Sequence, residues 1–129
     1  AGRRRMTIDI AKKLRQRQQQ RIKSQKAPDG SPFAPRKRQP VRAKRGRIKR
    51  EMFVKLRTNR YLKASGNDSA AVVEFTGKVQ RIARVHQFGL IDNPSPKYNK
   101  VKYIERELLG FSICDNKFIN ELIIKFLDG

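Results

Sequence analysis

The sequence predicts an α+β fold: a small antiparallel sheet, a long basic N-terminal helix, short helices and an amphipathic C-terminal helix. Apolar residues recur every three or four positions near both ends of the chain, which indicates helices there. In the middle, two runs of β-forming residues flank a turn. The chain has 129 residues and 37% hydrophobic content, which suits a single domain, residues 1–129, with a modest core.

The first predicted helix runs from Met6 to about Lys26. Its apolar stripe is thin, and Gln18 fills one gap in it; the apolar members are Ile8, Ala11, Leu14 and Ile22. The other faces are rich in Lys and Arg, so this helix should lie across the domain or project from it. Residues 28–32, Pro-Asp-Gly-Ser-Pro, should end the helix and turn the chain, because proline fixes φ and glycine accepts a positive φ.

Residues 36–50, here called the basic arm, contain nine Lys and Arg, no acidic residue and three apolar residues. Such a segment cannot form a core by itself. It is either a solvated loop or an arm that becomes ordered against phosphates or an acidic protein face. We predict that its cations contact a polyanion or a partner: Arg36, Lys37, Arg38, Arg42, Lys44, Arg45, Arg47, Lys49 and Arg50.

The middle of the chain predicts three short elements. Residues 52–56 should form a short helix, with Phe53 and Leu56 in the core. Residues 61–64 and 70–76 should pair as a hairpin, because a turn-forming Ser-Gly-Asn-Asp cluster separates them. A further short helix follows Gly77 and should end at Gly89, where a glycine can form the C-terminal cap.

The last third predicts a surface loop over residues 92–102, extended segments over 101–111, and a final helix that starts near Asp115. This helix has the strongest amphipathic pattern in the chain, and we expect it to pack on the sheet or on a neighbouring subunit. The residues assigned to that packing recur at intervals of four: Phe118, Ile119, Leu122, Ile123, Phe126 and Leu127.

The charge is distributed unequally along the chain. Residues 1–64 contain 23 Lys and Arg against 3 Asp and Glu, whereas residues 65–129 contain 9 against 8. Charge packed so densely implies a polyanionic or acidic partner. Nucleic-acid binding is therefore a candidate, but no zinc finger, helix-turn-helix or RNA-binding aromatic pattern is visible, so contacts should be to the phosphate backbone.

Several classes of protein are disfavoured. No run of apolar residues is long enough to span a membrane. The basic start has no apolar segment behind it, so a secretory signal is unsupported, and the missing initiating Met suggests that the native start is absent. One cysteine, Cys114, cannot form an intramolecular disulfide and fits a reducing compartment.

The sequence predicts no enzyme, cofactor or metal site. His86 is the single imidazole, and no nucleophile, carboxylate pair or phosphate-binding glycine loop accompanies it in a known motif. We expect His86 to be structural, near a helix C-terminus and bonded to a carbonyl. Cys114 is predicted to be partly buried and without a catalytic role.

Five short motifs occur in order along almost the whole chain: Pro28-Asp29-Gly30, Phe33-Ala34-Pro35-Arg36-Lys37, Met52-Phe53 with Leu56-Arg57, residues 81–89 (RIARVHQFG) and residues 106–111 (RELLGF). In this order, around a basic insert, they resemble the phage virion morphogenesis, or tail completion, family of contractile-tailed phages. One position departs from the family pattern: Ile104 stands where a proline is expected.

The resemblance implies a structural, non-enzymatic virion protein that acts late, joining a completed tail to a DNA-filled head. It implies an oligomeric ring at the head-tail junction, with six subunits because contractile tails are six-fold, assembled in the host cytoplasm. The implied partners are tail and head-connector proteins, with DNA backbone in the neck channel as a further candidate. The rival, a sequence-independent nucleic-acid-binding protein of ribosomal type, is what composition alone favours, but the ordered motifs disfavour it.

Overall fold

The computed structural model describes residues 2–35, 51–93 and 99–128, so the basic arm lies outside the described residues. Its elements follow in the order α1 (Gly2–Lys23), β1 (Leu62–Gly66), β2 (Ala71–Phe75), α2 (Gly77–Phe88), β3 (Ile91–Asp92), β4 (Val101–Lys102) and α3 (Ile113–Asp128). The predicted α+β class is confirmed, with a long first helix and a C-terminal helix. Of the helices in the described ranges, none is both long and apolar enough to cross a bilayer.

The strands form two separate antiparallel pairs. In the first, Leu62 lies opposite Phe75, and in the second, β3 pairs with β4. The turn between β1 and β2 is closed by Asn67, whose N–H donates to the carbonyl of Ala70 at 2.9 Å. The Asn67 side chain also accepts hydrogen bonds from the backbone N–H groups of Ser69 and Ala70, at 2.7 and 2.9 Å. The predicted hairpin is therefore confirmed.

Helix α1 lies across the β1–β2 hairpin and also contacts α3. Its buried face differs from the predicted stripe, because Ile8 is half-buried while other positions complete the face; the buried residues are Thr7, Ile10, Ala11, Leu14, Gln18 and Ile22. The crossing is close at Gly66. A Cβ there would lie 2.6 Å from Thr7 Oγ1 and 2.7 Å from the Ile8 backbone nitrogen, so α1 can reach β1 only over a glycine.

Helix α1 ends at Lys23, earlier than predicted. Gln25 adopts a left-handed conformation with φ of 60°. Its N–H donates to Ile22 O at 2.9 Å, and the N–H of Lys26 donates to Arg21 O at 3.3 Å. This pair of bonds is a Schellman motif, here built on glutamine instead of the usual glycine. The helix therefore stops before the predicted Pro-Asp-Gly turn is reached.

The hydrophobic core joins residues from all parts of the described chain. Its most deeply buried members are Ile22, Leu62 and Leu108, and it also contains Phe33, Met52, Phe75 and Ala83. Burying an Ile, Leu, Phe or Met side chain stabilises a fold by about 1.5 to 3 kcal/mol. Four of the five sequence motifs thus contribute a core residue: Phe33, Met52, Ala83 and Leu108.

The predicted helix over residues 52–56 does not form. The chain makes hydrogen-bonded turns there, because Phe53 has φ of 65°, outside the right-handed helical region. Phe53 and Leu56 are partly buried and pack against the core. Their predicted role as core contacts is therefore confirmed, although the local backbone was predicted incorrectly.

Helix α2 ends as predicted. Gly89 takes φ of 62° and ψ of 49°, and its N–H donates to the carbonyl of Val85. The turn is tight, since a Cβ on Gly89 would lie 3.0 Å from the backbone nitrogen of Glu105. The α2 cap and the segment that follows β4 are therefore in direct contact.

Helix α3 begins at Ile113, two residues before the predicted start. Ser112 caps it: Ser112 N–H donates to Asp115 Oδ2 at 3.0 Å, and Asp115 N–H donates to Ser112 Oγ at 2.9 Å. This reciprocal pair is a capping box, with Asp in place of the usual Glu. We predicted that α3 packs on the sheet or on a neighbouring subunit. Within the described residues its main packing partner is α1, because α1 already covers the hairpin.

Candidate functional site

Gln25 bonds described residues on both sides of the basic arm. The backbone carbonyl of Gln25 accepts a hydrogen bond from Phe33 N–H at 2.8 Å. Its side chain bonds both backbone groups of Met52, donating from Nε2 to the carbonyl at 2.9 Å and accepting from the N–H at 2.8 Å. One glutamine therefore holds the chain on both sides of the arm.

Arg106 provides a second attachment. This residue is buried, with 8% of its surface exposed. Its guanidinium donates from Nε to Ala34 O at 2.8 Å and from Nη2 to Pro35 O at 2.9 Å. Arg106 and Glu51 also line the same surface depression. We call the residues that fix the two ends the arm base: Gln25, Ala34, Pro35, Met52 and Arg106.

Gln87 joins two of the sequence motifs. Its side-chain oxygen accepts from the N–H groups of Leu108 and Leu109 at 2.8 and 2.9 Å, and its Nε2 donates to Leu109 O at 2.8 Å. The segment around Leu108 is not part of a helix or strand in the described structure. Buried backbone groups need partners, and Gln87 supplies them in place of a neighbouring strand.

His86 lies between aromatic rings. Its ring centroid is 4.9 Å from that of Phe53 and 5.2 Å from that of Tyr103, in edge-to-face contacts. The His86 carbonyl accepts from Arg106 N–H at 2.7 Å. His86 thus contributes to the packing that surrounds the arm base. Within the described residues, no group of three or more His, Cys, Asp or Glu is placed to hold a metal ion.

The sequence-predicted site residues fall into two groups. The nine arm cations lie outside the described residues, so the structure gives only the arm base that flanks them. Of the α3 residues, Leu122 is buried and Phe118, Ile119 and Ile123 are half-buried. Phe126 and Leu127 are exposed, Leu127 to 76%. Helix α3 thus leaves apolar surface on its last turn.

Cys114 was predicted to be partly buried, and this prediction is wrong. Cys114 is exposed, because α3 directs its Asp115 and Leu122 positions inward instead.

An ion pair joins α1 to the start of α3. Arg17 Nε donates to Asp115 Oδ1 at 2.6 Å, and the Arg17 guanidinium carbon lies 4.6 Å from the centre of the Phe118 ring. Burial raises the pKa of Asp115, but the hydrogen bonds from Arg17 and Ser112 outweigh it, so the pKa of this carboxyl lies below its usual value. The carboxylate is therefore held ionised in the folded protein.

Arg21 extends this polar contact toward the core. It donates from Nη2 to Gln18 Oε1 and to Leu108 O, the latter at 2.7 Å, and from Nη1 to Lys26 O at 2.9 Å. Burial lowers the pKa of Arg21, and the nearby carboxylates of Asp115 and Glu107 oppose that shift. Gln18 in turn donates to Gly110 O at 3.0 Å, so the RELLGF segment is tied to α1 as well as to α2.

Sequence reasoning missed the side chains that organise this region. The side chains of Gln25, Gln87 and Arg106 bond backbone groups 21 to 72 positions away in sequence, and such pairings leave no local pattern. The Ser112-x-x-Asp115 capping box is the exception, because its spacing is visible in the sequence. It would have placed the start of α3 correctly.

Comparison with known proteins agrees with the motifs. The family model described as the phage virion morphogenesis family matches residues 1–128. The chain is 48% identical over 129 residues to tail completion protein S of Escherichia phage P2, covering 99% of this chain and 86% of that protein. No solved structure matches the chain. The match along the whole chain and this identity show that the protein belongs to the phage virion morphogenesis family.

Proposed function

We propose that this protein is a structural, non-enzymatic tail completion protein, which finishes the tail and joins it to the head. The observation that carries the proposal is the 48% identity to tail completion protein S along nearly the whole chain. The structure is consistent with that role, because Gln25, Gln87 and Arg106, in or beside the family motifs, bond the backbone around the arm base. On this proposal the protein resides at the head-tail junction of the virion and assembles in the host cytoplasm.

The basic arm is the proposed contact with a neck partner. Its ends are fixed by side chains that are at least partly buried, so the arm leaves a defined place on a folded body. Nine cations with no acidic residue suit a dense anionic surface, either the DNA backbone or an acidic face of a head or tail protein.

The proposed assembly is a ring of six copies of the chain. The support in the structure is the exposed apolar surface of the last two turns of α3, which includes Ile124 and Leu127 at 56% and 76% exposure. Apolar side chains exposed together are typical of surfaces that are covered in an assembly. The number six follows from the symmetry of contractile tails in the resembled family.

A joining assay tests the proposal. Phage lacking this protein should accumulate DNA-filled heads and separate tails, and adding the purified protein to an extract of these should restore infectious particles. Oligomers should appear by light scattering, at least when tails are present. Efficient head-tail joining without the protein would refute the assignment, and a protein that stays monomeric both free and in particles would refute the ring.

The arm is tested by a variant with six substitutions to Gln: Arg42, Lys44, Arg45, Arg47, Lys49 and Arg50. A matched control removes the same charge from α1, through Gln at Arg3, Arg4, Arg5, Lys12, Arg15 and Lys23. The arm variant should lose head-tail joining and the control should retain most of it. Equal loss in both would mean that net charge, not the arm, carries the effect.

The second candidate function, sequence-independent nucleic-acid binding, is favoured by the charge of +21. If about five arm cations contact phosphates, log affinity for DNA should fall against log salt with a slope of about −4 to −5, whatever the sequence. Little DNA affinity from the arm, together with salt-sensitive docking to heads or tails, would instead identify an acidic protein partner.

A further inference from the structure

A groove with a volume of about 640 Å³ lies between the C-terminal half of α1 and the start of α3. It is distinct from the arm base. We define this α1–α3 groove by the side chains that give it its chemistry: Lys13, Arg17, Arg21, Lys26, Asp115 and Phe118. These comprise four cations, one carboxylate and one aromatic ring. The groove is therefore electropositive, and Phe118 supplies its apolar contact.

The cations of the groove are not equivalent. Arg17 is held in place, because its Nε binds Asp115 at 2.6 Å and its guanidinium lies 4.6 Å from the Phe118 ring centre. Those contacts employ Nε and the guanidinium face, and the described residues supply no hydrogen bond to its two Nη groups. The Arg17 side chain is 35% exposed, and a guanidinium is the side chain best suited to bind a carboxylate through two hydrogen bonds.

The neighbouring groups add to the positive potential. Arg21 forms part of the groove wall, and its buried Nε has no hydrogen-bond partner among the described residues. Lys26 is exposed at one end. Lys13 lies at the other end, where its Nζ forms an ion pair with Asp9 Oδ2 at 3.0 Å. The single groove carboxylate, Asp115, already accepts bonds at both oxygens, so the groove keeps a net positive charge.

We propose that the α1–α3 groove binds an acidic segment of a partner protein in the assembled particle, with a carboxylate seated on Arg17. The shape favours a peptide over DNA. Packed helices lie about 8 to 10 Å apart, and a duplex is too wide to enter such a space and would reach only its rim. Phe118 gives an extended peptide an apolar wall, which a phosphate backbone would not use.

This inference rests on the proposed function in one respect, because it requires that the assembled particle contains an acidic partner. The affinity of the groove for carboxylates is measured on the isolated protein. Failure of head-tail joining therefore leaves the groove proposal intact, and failure of the groove test leaves the joining proposal intact.

The test uses fluorescence anisotropy with two labelled probes, a peptide of alternating Glu and Ala and a short DNA duplex. All proteins carry the six Gln substitutions in the arm, which remove six of its nine cations and so lower its background binding. The groove variant is Lys13→Gln with Lys26→Gln, and the control is Lys12→Gln with Lys23→Gln. Both pairs remove two charges from the same part of the chain, but Lys12 and Lys23 do not line the groove.

We expect the groove variant to bind the peptide about fivefold more weakly than its parent, and the control less than twofold more weakly. The Nε–Hε NMR resonance of Arg17 should shift when the peptide is added to the parent. Equal losses in the two variants, no measurable peptide binding by the parent, or an unmoved Arg17 resonance would overturn the proposal. The same groove-specific loss with the DNA duplex would assign the groove to phosphates instead of an acidic protein.

Discussion

The cap of α2 offers the sharpest test of the fold. Gly89 has φ of 62°, a conformation that costs a residue with a Cβ about 1 to 2 kcal/mol. The added Cβ would also lie 3.0 Å from the Glu105 backbone nitrogen, closer than an ordinary contact. We therefore expect Gly89→Ala to lower the free energy of unfolding by about 2 kcal/mol or more. At this chain length 1 kcal/mol corresponds to about 4 °C, so the melting temperature should fall by about 8 °C.

Gly77→Ala is the matched control, because Gly77 begins the same helix, has no positive φ and would place its Cβ in open space. It should be neutral or slightly stabilising, since Ala favours a helix over Gly by about 1 kcal/mol. Gly89→Asn separates the cost of the positive φ from the cost of the close Cβ contact, because Asn tolerates the left-handed region but still carries a Cβ. Thermal unfolding followed by circular dichroism measures all three. If Gly89→Ala melts with the wild type or with Gly77→Ala, the cap does not contribute as described.

Three further outcomes are expected. Leu122→Asp should lower the free energy of unfolding, measured in urea, by more than about 3 kcal/mol, because it buries a charge between α3 and α1. Leu127→Asp, at an exposed position of the same helix, should leave the subunit stable and impair particle formation. Normal particle yield from Leu127→Asp would argue against an α3 interface. Gly66→Ala should destabilise despite an ordinary φ, because α1 leaves no room for a Cβ, and an unchanged melting temperature would contradict that close approach. The pKa of Asp115 is lower in the folded protein than in the unfolded chain, so its contribution to stability is complete above about pH 4 and is lost as the pH falls through the folded-state pKa. Asp115→Asn should remove this part of the acid dependence of stability. If the variant and the wild type show the same dependence of unfolding free energy on pH, Asp115 is not its source.

The helices and the hairpin could be predicted because their signals are local. Apolar spacing indicated α1 and α3, and the turn cluster before Ala70 indicated the hairpin. The prediction of a helix over residues 52–56 was wrong, and the cause is physical. Met52 is bound at both backbone groups by Gln25, and Phe53 then takes a positive φ, so a long-range contact overrides the local preference for a helix.

The candidate site was predictable in composition but not in geometry. The arm was evident from its nine cations, whereas its base depends on Gln25 and Arg106, which bond residues far away in the chain. The α1–α3 groove was missed for the same reason. Arg17 and Asp115 are 98 positions apart, and the sequence alone presents Arg17 as one more cation on a basic helix.

The arm base also affects how the chain can change over evolution. Gln25 and Arg106 secure the residues on both sides of the arm, so an insertion or deletion between Pro35 and Glu51 need not disturb the core. Doubling the number of residues between two fixed ends costs only about 0.6 kcal/mol in loop-closure entropy. A family built on this plan can therefore alter the length and charge of the arm to match a different neck while keeping the same folded body.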